Sequence, residues 1–420
     1  MSKFKLFCLS TVLSFTNPYE VSASQEVSTR TEPNFHSSKV IVYNVVGHWL
    51  GKMRSSKHIN TDFLLLIKQY TANYPYFKLW KTLNTNYLLG VNNIAKQGGY
   101  YYTVSGHVIS RIDINNHEEP IKHYLFEKND DHIMCLLPYQ DNHIFCGREV
   151  TGNLMLLDTT DKTKRPQSKI IKKCKEGIDK MVIHQEKTLF IAASNHRIYA
   201  FDISDIGKLK RVASLHLPHT ISDFASYNHL LFASTLYNVA VWHIAYNKEE
   251  LVSSFIGLMT MKSDYGHYFV PQLGLYEKGH KTFLITGDFY NTICAYDISK
   301  LVNCTCDIKQ LTEELKNCTC IRSFPDRVNF SLSCLKGGRH CVSQLTVQGD
   351  FLFTANGGRK IRVRKLIDIE SKEPELINTI EIKDVYDESI IDQLLVDTDS
   401  DGEKVMFTST HNELQVWKLE

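Results

Sequence analysis

Along this chain, short apolar runs come in pairs separated by polar turns, and the clearest pair is Leu189 to Ser204, LFIAASNHRIYAFDIS. Leu189 to Ala193 has the continuous apolar character of a buried strand. Asn195-His196-Arg197 supplies a turn, and Ile198 to Ile203 then alternates outward to Asp202. One such hairpin is marginal in water, so its weight lies in repetition. Related pairs occupy 100–114, 143–159, 230–245, 283–299, 351–367 and 404–420, which makes seven copies. Their second strands end at Asp113, Asp158, Asp202, His243, Asp297, Lys365 and Lys418. The early copies recur about every 41 to 45 residues, the period of a four-stranded propeller blade.

The flanks complete the unit. A further strand precedes the pair, as in HTISDFASYNH (219–229), and an outer strand follows it, as in LKRVASLHLP (209–218). A four-stranded sheet cannot bury both faces alone, whereas radial stacking covers them. The expected fold is therefore all-β, a seven-bladed β-propeller over 38–420 with a short N-terminal helical segment. The last copy ends at Glu420 without an outer strand, and Val40 to Val46 (VIVYNVV, within 38–46) is the expected ring-closing strand. Thr61 to Leu83 has helical spacing, with Phe63, Leu64, Ile67 and Tyr70 on one face and Pro75 breaking the pattern. This predicts a helical insertion over 60–84.

HTISDFASYNHLLFASTLYNVAVWHI resembles a WD40 repeat, with His219 at the early His of that motif and Trp242-His243 in place of Trp-Asp. IYAFDISDIGKLKRVASLHLP also resembles the LVIVD propeller repeat. Both resemblances imply a propeller that serves as a protein-binding scaffold. DFLLLIKQY…KLWKTL faintly resembles part of an F-box, which implies a ligase-adaptor contact. It lacks the leading Leu-Pro of that module, and a plain helical cap is the simpler reading.

A hydrophobic content of 43% and a charged content of 22% are those of a folded globular chain. The net charge of +2 supplies no global field toward nucleic acid, and none is expected as a partner. Lys169 to Lys173 and Arg359 to Lys365 read as solvated faces of half-exposed strands, since Arg362 and Arg364 alternate with Ile361 and Val363. Residues 1–23 read as a secretory signal: Lys3 and Lys5, the apolar run LFCLSTVLSF, then Val21-Ser22-Ala23. That run is too short to span a bilayer stably, and no other segment is long and apolar enough. Residues 24–37 are polar and read as a disordered linker. The expected location is therefore secreted or periplasmic.

Insertions fall at about 246–266 and at 300–345. The second holds Cys304, Cys306, Cys318, Cys320, Cys334 and Cys341, six of the 11 cysteines, around an amphipathic stretch from Ile308 to Leu315. In an exported protein such a cluster predicts disulfides stapling a loop with little core of its own. Zinc held by cysteines with His340, or unpaired thiols, are the alternatives. Sequons at Asn303, Asn317 and Asn329 lie in the same stretch, two of them with Cys at the middle position. Asp397, Asp399 and Asp401 open like a calcium loop ahead of Gly402. Thr408 stands where the closing Glu belongs, so a polar turn between strands is preferred.

There is no Gly-x-Ser-x-Gly elbow, no His-Glu-x-x-His helix and no phosphate loop, and the 18 histidines are scattered. Gly357-Gly358 reads as a hairpin turn, and His107 and His219 as structural residues. No catalytic residue and no cofactor is expected. The expected function is a non-catalytic interaction platform, a monomer binding other proteins or peptides on loop-built faces. The rivals are a secreted propeller hydrolase or lyase with a site at the channel mouth, a carbohydrate or ligand binder, and an intracellular ligase adaptor.

Overall fold

All seven predicted hairpins are present in the computed structural model, which describes residues 77–84, 91–114, 122–126, 131–162, 164–235, 238–247, 250–260, 272–288, 292–304, 307–325, 342–356, 360–382, 391–398, 402–410 and 413–419. Each hairpin forms the middle two strands of a four-stranded antiparallel sheet. After β1 (Phe77–Asn84), blade 1 comprises β2 (Asn93–Gln97), β3 (Tyr100–Ser105), β4 (Val108–Ile112) and β5 (Lys122–Leu125). Blade 2 holds β6 (Ile133–Tyr139), β7 (His143–Arg148), β8 (Asn153–Asp158) and β9 (Gln167–Lys173), and blade 3 holds β10 (Ile178–His184), β11 (Thr188–Ala193), β12 (Arg197–Asp202) and β13 (Lys210–His216). Blade 4 is β14 (Ile221–Tyr227), β15 (Leu230–Thr235), β16 (Asn238–Asn247) and β17 (Glu250–Thr260). Blade 5 is β18 (Gln272–Lys278), β19 (Lys281–Gly287), β20 (Thr292–Asp297) and β21 (Cys320–Pro325). Blade 6 follows as β22 (Val342–Gln348), β23 (Phe351–Asn356), β24 (Lys360–Lys365) and β25 (Glu375–Glu381). Blade 7 combines β26 (Gln393–Thr398), β27 (Lys404–Ser409) and β28 (Glu413–Leu419) with β1.

The first strand of each blade contacts the first strand of the next, and β2 contacts β26, so the ring closes. The core is correspondingly divided into seven layers, each between neighbouring sheets. Between blades 7 and 1, for example, Tyr101 and Ile112 pack on Phe407 and Val416, with the Tyr101 and Phe407 rings 4.2 Å apart. Because both faces of every sheet are covered, the middle strands are apolar throughout, which is why the hairpins are readable as continuous hydrophobic runs.

Two local devices repeat. The Asp ending the second hairpin strand accepts from the amide two residues on: Asp158 from Thr160, Asp202 from Ser204 and Asp297 from Ser299, each at 2.9 Å. This is the Asx turn that leads the chain toward the outer strand. The residue just after that position donates its amide to the residue preceding the hairpin. The bonds are Thr159 to Asn142 at 2.8 Å, Ile203 to Lys187 at 2.9 Å, Ile244 to His229 at 2.7 Å, Ile298 to Thr282 at 3.0 Å and Leu366 to Asp350 at 2.8 Å. This second bond uses backbone alone, so it survives where His243 or Lys365 replaces Asp.

Ring closure corrects one expectation. β1 is the outer strand of blade 7, with Phe77 opposite Leu419 and Asn84 opposite Glu413. The segment 77–83, expected as helix and as the end of the F-box-like stretch, is thus strand, and the outer position expected for Val40 to Val46 is filled. Val40 to Val46, the rest of the helical expectation, and the leader and linker of 1–37 lie outside the described residues. The unpaired edge of β28 decides the matter. FKLWKTLN can present Phe77 inward and Lys78 and Thr82 outward, and pairing satisfies a row of backbone groups that a helix would leave exposed. Phe77 is buried against Phe353, its ring centroid 5.8 Å away at an edge-on angle.

Two short helices interrupt blade 5 between β20 and β21: α1 (Ser299–Asn303) and α2 (Ile308–Asn317). The Asp307 carboxylate caps α2 by accepting from the Gln310 amide at 3.0 Å. Leu301, Val302, Leu311 and Leu315 are buried in the layer between blades 4 and 5. Among the described residues no helix is long and apolar enough to cross a membrane.

Candidate functional site

Polar groups at the inner strands hold one blade to the next. Asn92 donates to the Ile133 carbonyl at 3.2 Å, Gln344 to that of Asp392 at 2.7 Å, and Gln393 to that of Asn92 at 2.6 Å. The Leu273 amide donates to the Asp223 carboxylate at 2.9 Å, whose pKa burial pushes up against the opposing pull of Lys180. Beside it in the ring, burial and then the Glu149 charge raise Asp179 to about 6. Glu149 lies 3.4 Å from His132 Nδ1. Between blades 7 and 1, Asp397 forms an ion pair with Lys96 at 3.1 Å and accepts from Tyr101 Oη at 3.3 Å.

Asp397, the first of the three calcium candidates, is therefore a blade-to-blade contact on β26. Asp399 and Asp401 lie outside the described residues. Gly402, with φ +79°, takes a left-handed turn conformation that suits glycine. Among the described residues no group of three or more His, Cys, Asp or Glu is placed to hold a metal ion.

Of the cysteines expected to form disulfides, Cys304, Cys318 and Cys320 are described; none of the three is joined to another, and they lie in the layer built by α1, α2 and blades 4 and 5 beside Leu301, Leu311 and Leu315. Cys318 donates to the Asp297 carbonyl at 3.8 Å and Cys320 to that of Arg322 at 3.1 Å. Cys306, Cys334 and Cys341 lie outside the described residues, as does His340. Arg362 and Arg364, expected on a solvated face, are buried at 5% and 4% exposure, because blade 6 is covered on both faces. Arg364 instead donates to the Pro374 carbonyl at 3.2 Å.

Among the described residues, β17 on the rim of blade 4 holds more exposed large hydrophobics than any other element. The insertion expected at about 246–266 is in part a lengthened hairpin, with β16 of 10 residues and β17 of 11. A β-bulge opposite Val241 and Trp242 lets Ile256 and Met259 bury while Val252, Phe255 and Leu258 face outward at 45%, 52% and 44% exposure. Phe255 leans on the buried Trp242, with ring centroids 5.5 Å apart. The second insertion covers the other face of β17: α2 packs there beside Ile256 and Met259, and Thr312 Oγ1 donates to the Ile256 carbonyl at 3.5 Å, while Phe255 and Leu258 lie on the face toward blade 3, opposite Trp242 and Ala240. A Cβ at Gly257 would sit 2.9 Å from Leu315 Cδ2, so glycine there permits the close seating of the helix. Ile308 of α2 is 41% exposed on that other side. Four of the seven large exposed hydrophobics among the described residues thus belong to β17 and α2. A readable signal existed in ELVSSFIGLMT, an outermost strand with apolar residues on both faces. The helix lying against it has no signal in sequence, because it arrives from the next blade.

No protein-family model and no curated protein matches this chain. The functional reading accordingly rests on the geometry.

Proposed function

We propose that this propeller is a non-catalytic protein-interaction platform of the WD40-like kind, and that its partner sits on the blade 4 rim. The observation carrying this reading is Phe255 and Leu258, 52% and 44% exposed side by side on the blade 3 face of β17. Scattered surface hydrophobics need no explanation, but two large neighbours exposed on one strand face favour a partner that covers them. Covering side chains of this size is worth roughly 1.5–3 kcal/mol each when complete, enough for Phe255 and Leu258 to anchor a complex. The insertion that lengthens the blade 4 hairpin supplies both residues, and α2 backs the strand from its other face. The natural partner is a protein segment presenting apolar side chains.

The test is affinity capture from the source cells with the full chain, comparing wild type with a Phe255→Glu/Leu258→Glu variant that retains wild-type circular dichroism. The expected result is a protein retained by wild type and reduced about tenfold or more by the variant. Equal retention by both, or turnover in a hydrolase screen with no protein retained, would replace this reading. Export belongs to the same reading and is supported by the leader of 1–23, with Cys304, Cys318 and Cys320 as thiols adding nothing to it. N-terminal sequencing of the exported protein tests it: a start beyond Ala23 is expected, and retention of Met1 contradicts it.

A further inference from the structure

The outermost strands of the seven blades differ sharply in charge. β17 carries no Lys or Arg, and β25 carries two Glu and no Lys or Arg. Blade 2 is the opposite: residues 162–175 hold seven Lys or Arg and no acidic residue, in a chain whose net charge is +2. Lysine on an edge strand commonly protects against self-association. Here β1, β5, β13 and β21 carry one or two Lys or Arg each and β17 and β25 none, whereas β9 carries three with four more beside it in 162–175, an excess that edge protection alone does not account for.

The geometry makes this stretch accessible. Among the described residues β9 pairs only with β8, and no described strand lies on its other backbone edge. Gln167, Ser168, Lys169 and Ile170 are exposed, and Ile170 is 48% exposed between lysines. The basic surface continues onto blade 3, because Lys172 Nζ donates to the Leu209 carbonyl at 3.3 Å and Lys208, Lys210 and Arg211 are exposed beside it. Carboxylates stand at the margins: Asp161 pairs with Lys164 at 2.8 Å, Glu176 accepts from Tyr199 Oη at 3.0 Å, Asp158 stands opposite Gln167, Asp202 opposite Lys210, and Asp205 is exposed near Lys208, while 162–175 itself holds none.

We propose that the rim of blades 2 and 3 docks an acidic, extended peptide segment, which adds as a further strand to β9. A peptide is favoured over other polyanions because the site offers three things together. These are a bare backbone edge that a strand can pair with, an exposed Ile170 that an apolar side chain can cover, and lysines that carboxylates can meet. A sulfated glycan or an anionic bilayer would use only the last. The proposal shares with the platform reading the idea of a polypeptide partner, but it involves different blades and can fail separately.

The test is fluorescence anisotropy with the full chain and a labelled peptide alternating Glu and Val. The comparison probes are a peptide of equal charge with Pro replacing each Val, a sulfated heparin fragment, and phosphatidylserine/phosphatidylcholine vesicles. The expected result is salt-sensitive binding of the Glu-Val peptide, weakened about tenfold or more by Lys169→Glu/Lys173→Glu. The same binding should be unchanged by Phe255→Glu/Leu258→Glu, which separates this site from the blade 4 rim. Circular dichroism matching wild type confirms that the charge-reversed variant is folded. No binding at low salt, equal binding by the charge-reversed variant, or equal binding of the proline peptide would overturn the proposal. So would tighter binding of the heparin fragment or of the vesicles.

Discussion

Single side chains set the blade geometry, and their effects are separable. Asp202 holds the turn into the outer strand through the Ser204 amide, which keeps its carboxyl below the usual range. Asp202→Ala is expected to cost about 1 kcal/mol, while Asp202→Asn keeps an acceptor and costs less, both read from urea midpoints. Gly147 shows the opposite constraint, since a Cβ there would lie 2.4 Å from Ile178 Cγ2 of the next blade. Gly147→Ala should therefore destabilise by about 1–3 kcal/mol, whereas Gly207→Ala, whose Cβ would meet only the Asp205 side chain at 3.2 Å, should cost less. Buried His184 bonds Ser226 through Nδ1 at 2.7 Å, and among the described residues no hydrogen-bond partner meets its Nε2. Burial and then His229 lower its pKa from 6.5 to about 4. As pH falls through that window the unfolded chain takes up a proton that the folded chain refuses, so stability is lost between those values. Urea midpoints at about pH 7.5 and about pH 5 should converge more for His184→Gln than for wild type. The Asp positions were legible because a strand-ending Asp recurs in the repeat. The role of His184 was not, because it depends on a neighbour 42 residues away.

At the level of elements, the hairpins were legible because both of their faces are buried, leaving nearly unbroken apolar runs such as Thr188 to Ala193. β1 was not, because its eight residues fit either period and the free edge of β28 made the choice. Two truncations separate the expected closing strand from the observed one. Removing 1–46 should leave the amides of β28 as protected from hydrogen exchange as in the full chain, because β1 still pairs with them. Removing 1–84 should expose that edge, lower protection across β27 and β28, and promote aggregation. Equal loss of protection in both truncations would contradict closure by β1. The insertions were visible as departures from the repeat spacing. Their joint product, α2 seated on β17, was not, since it depends on the absence of a side chain at Gly257.

For the whole molecule, seven interblade layers make a ring in which each sheet is supported by both neighbours, so that function is left to the rim, the faces and the channel. The repeat alone points to a platform without saying which part of it is used. The rim adds that information: blade 4 presents an apolar pair, blades 2 and 3 a basic stretch, and blade 6 neither. The most direct measurement is photo-crosslinking in the source cells, with a photoreactive amino acid placed at position 255 in one variant and at exposed Thr379 on β25 in another. The account predicts a discrete crosslinked protein from position 255 and none from position 379. No crosslink from 255, or the same pattern from both positions, would contradict it.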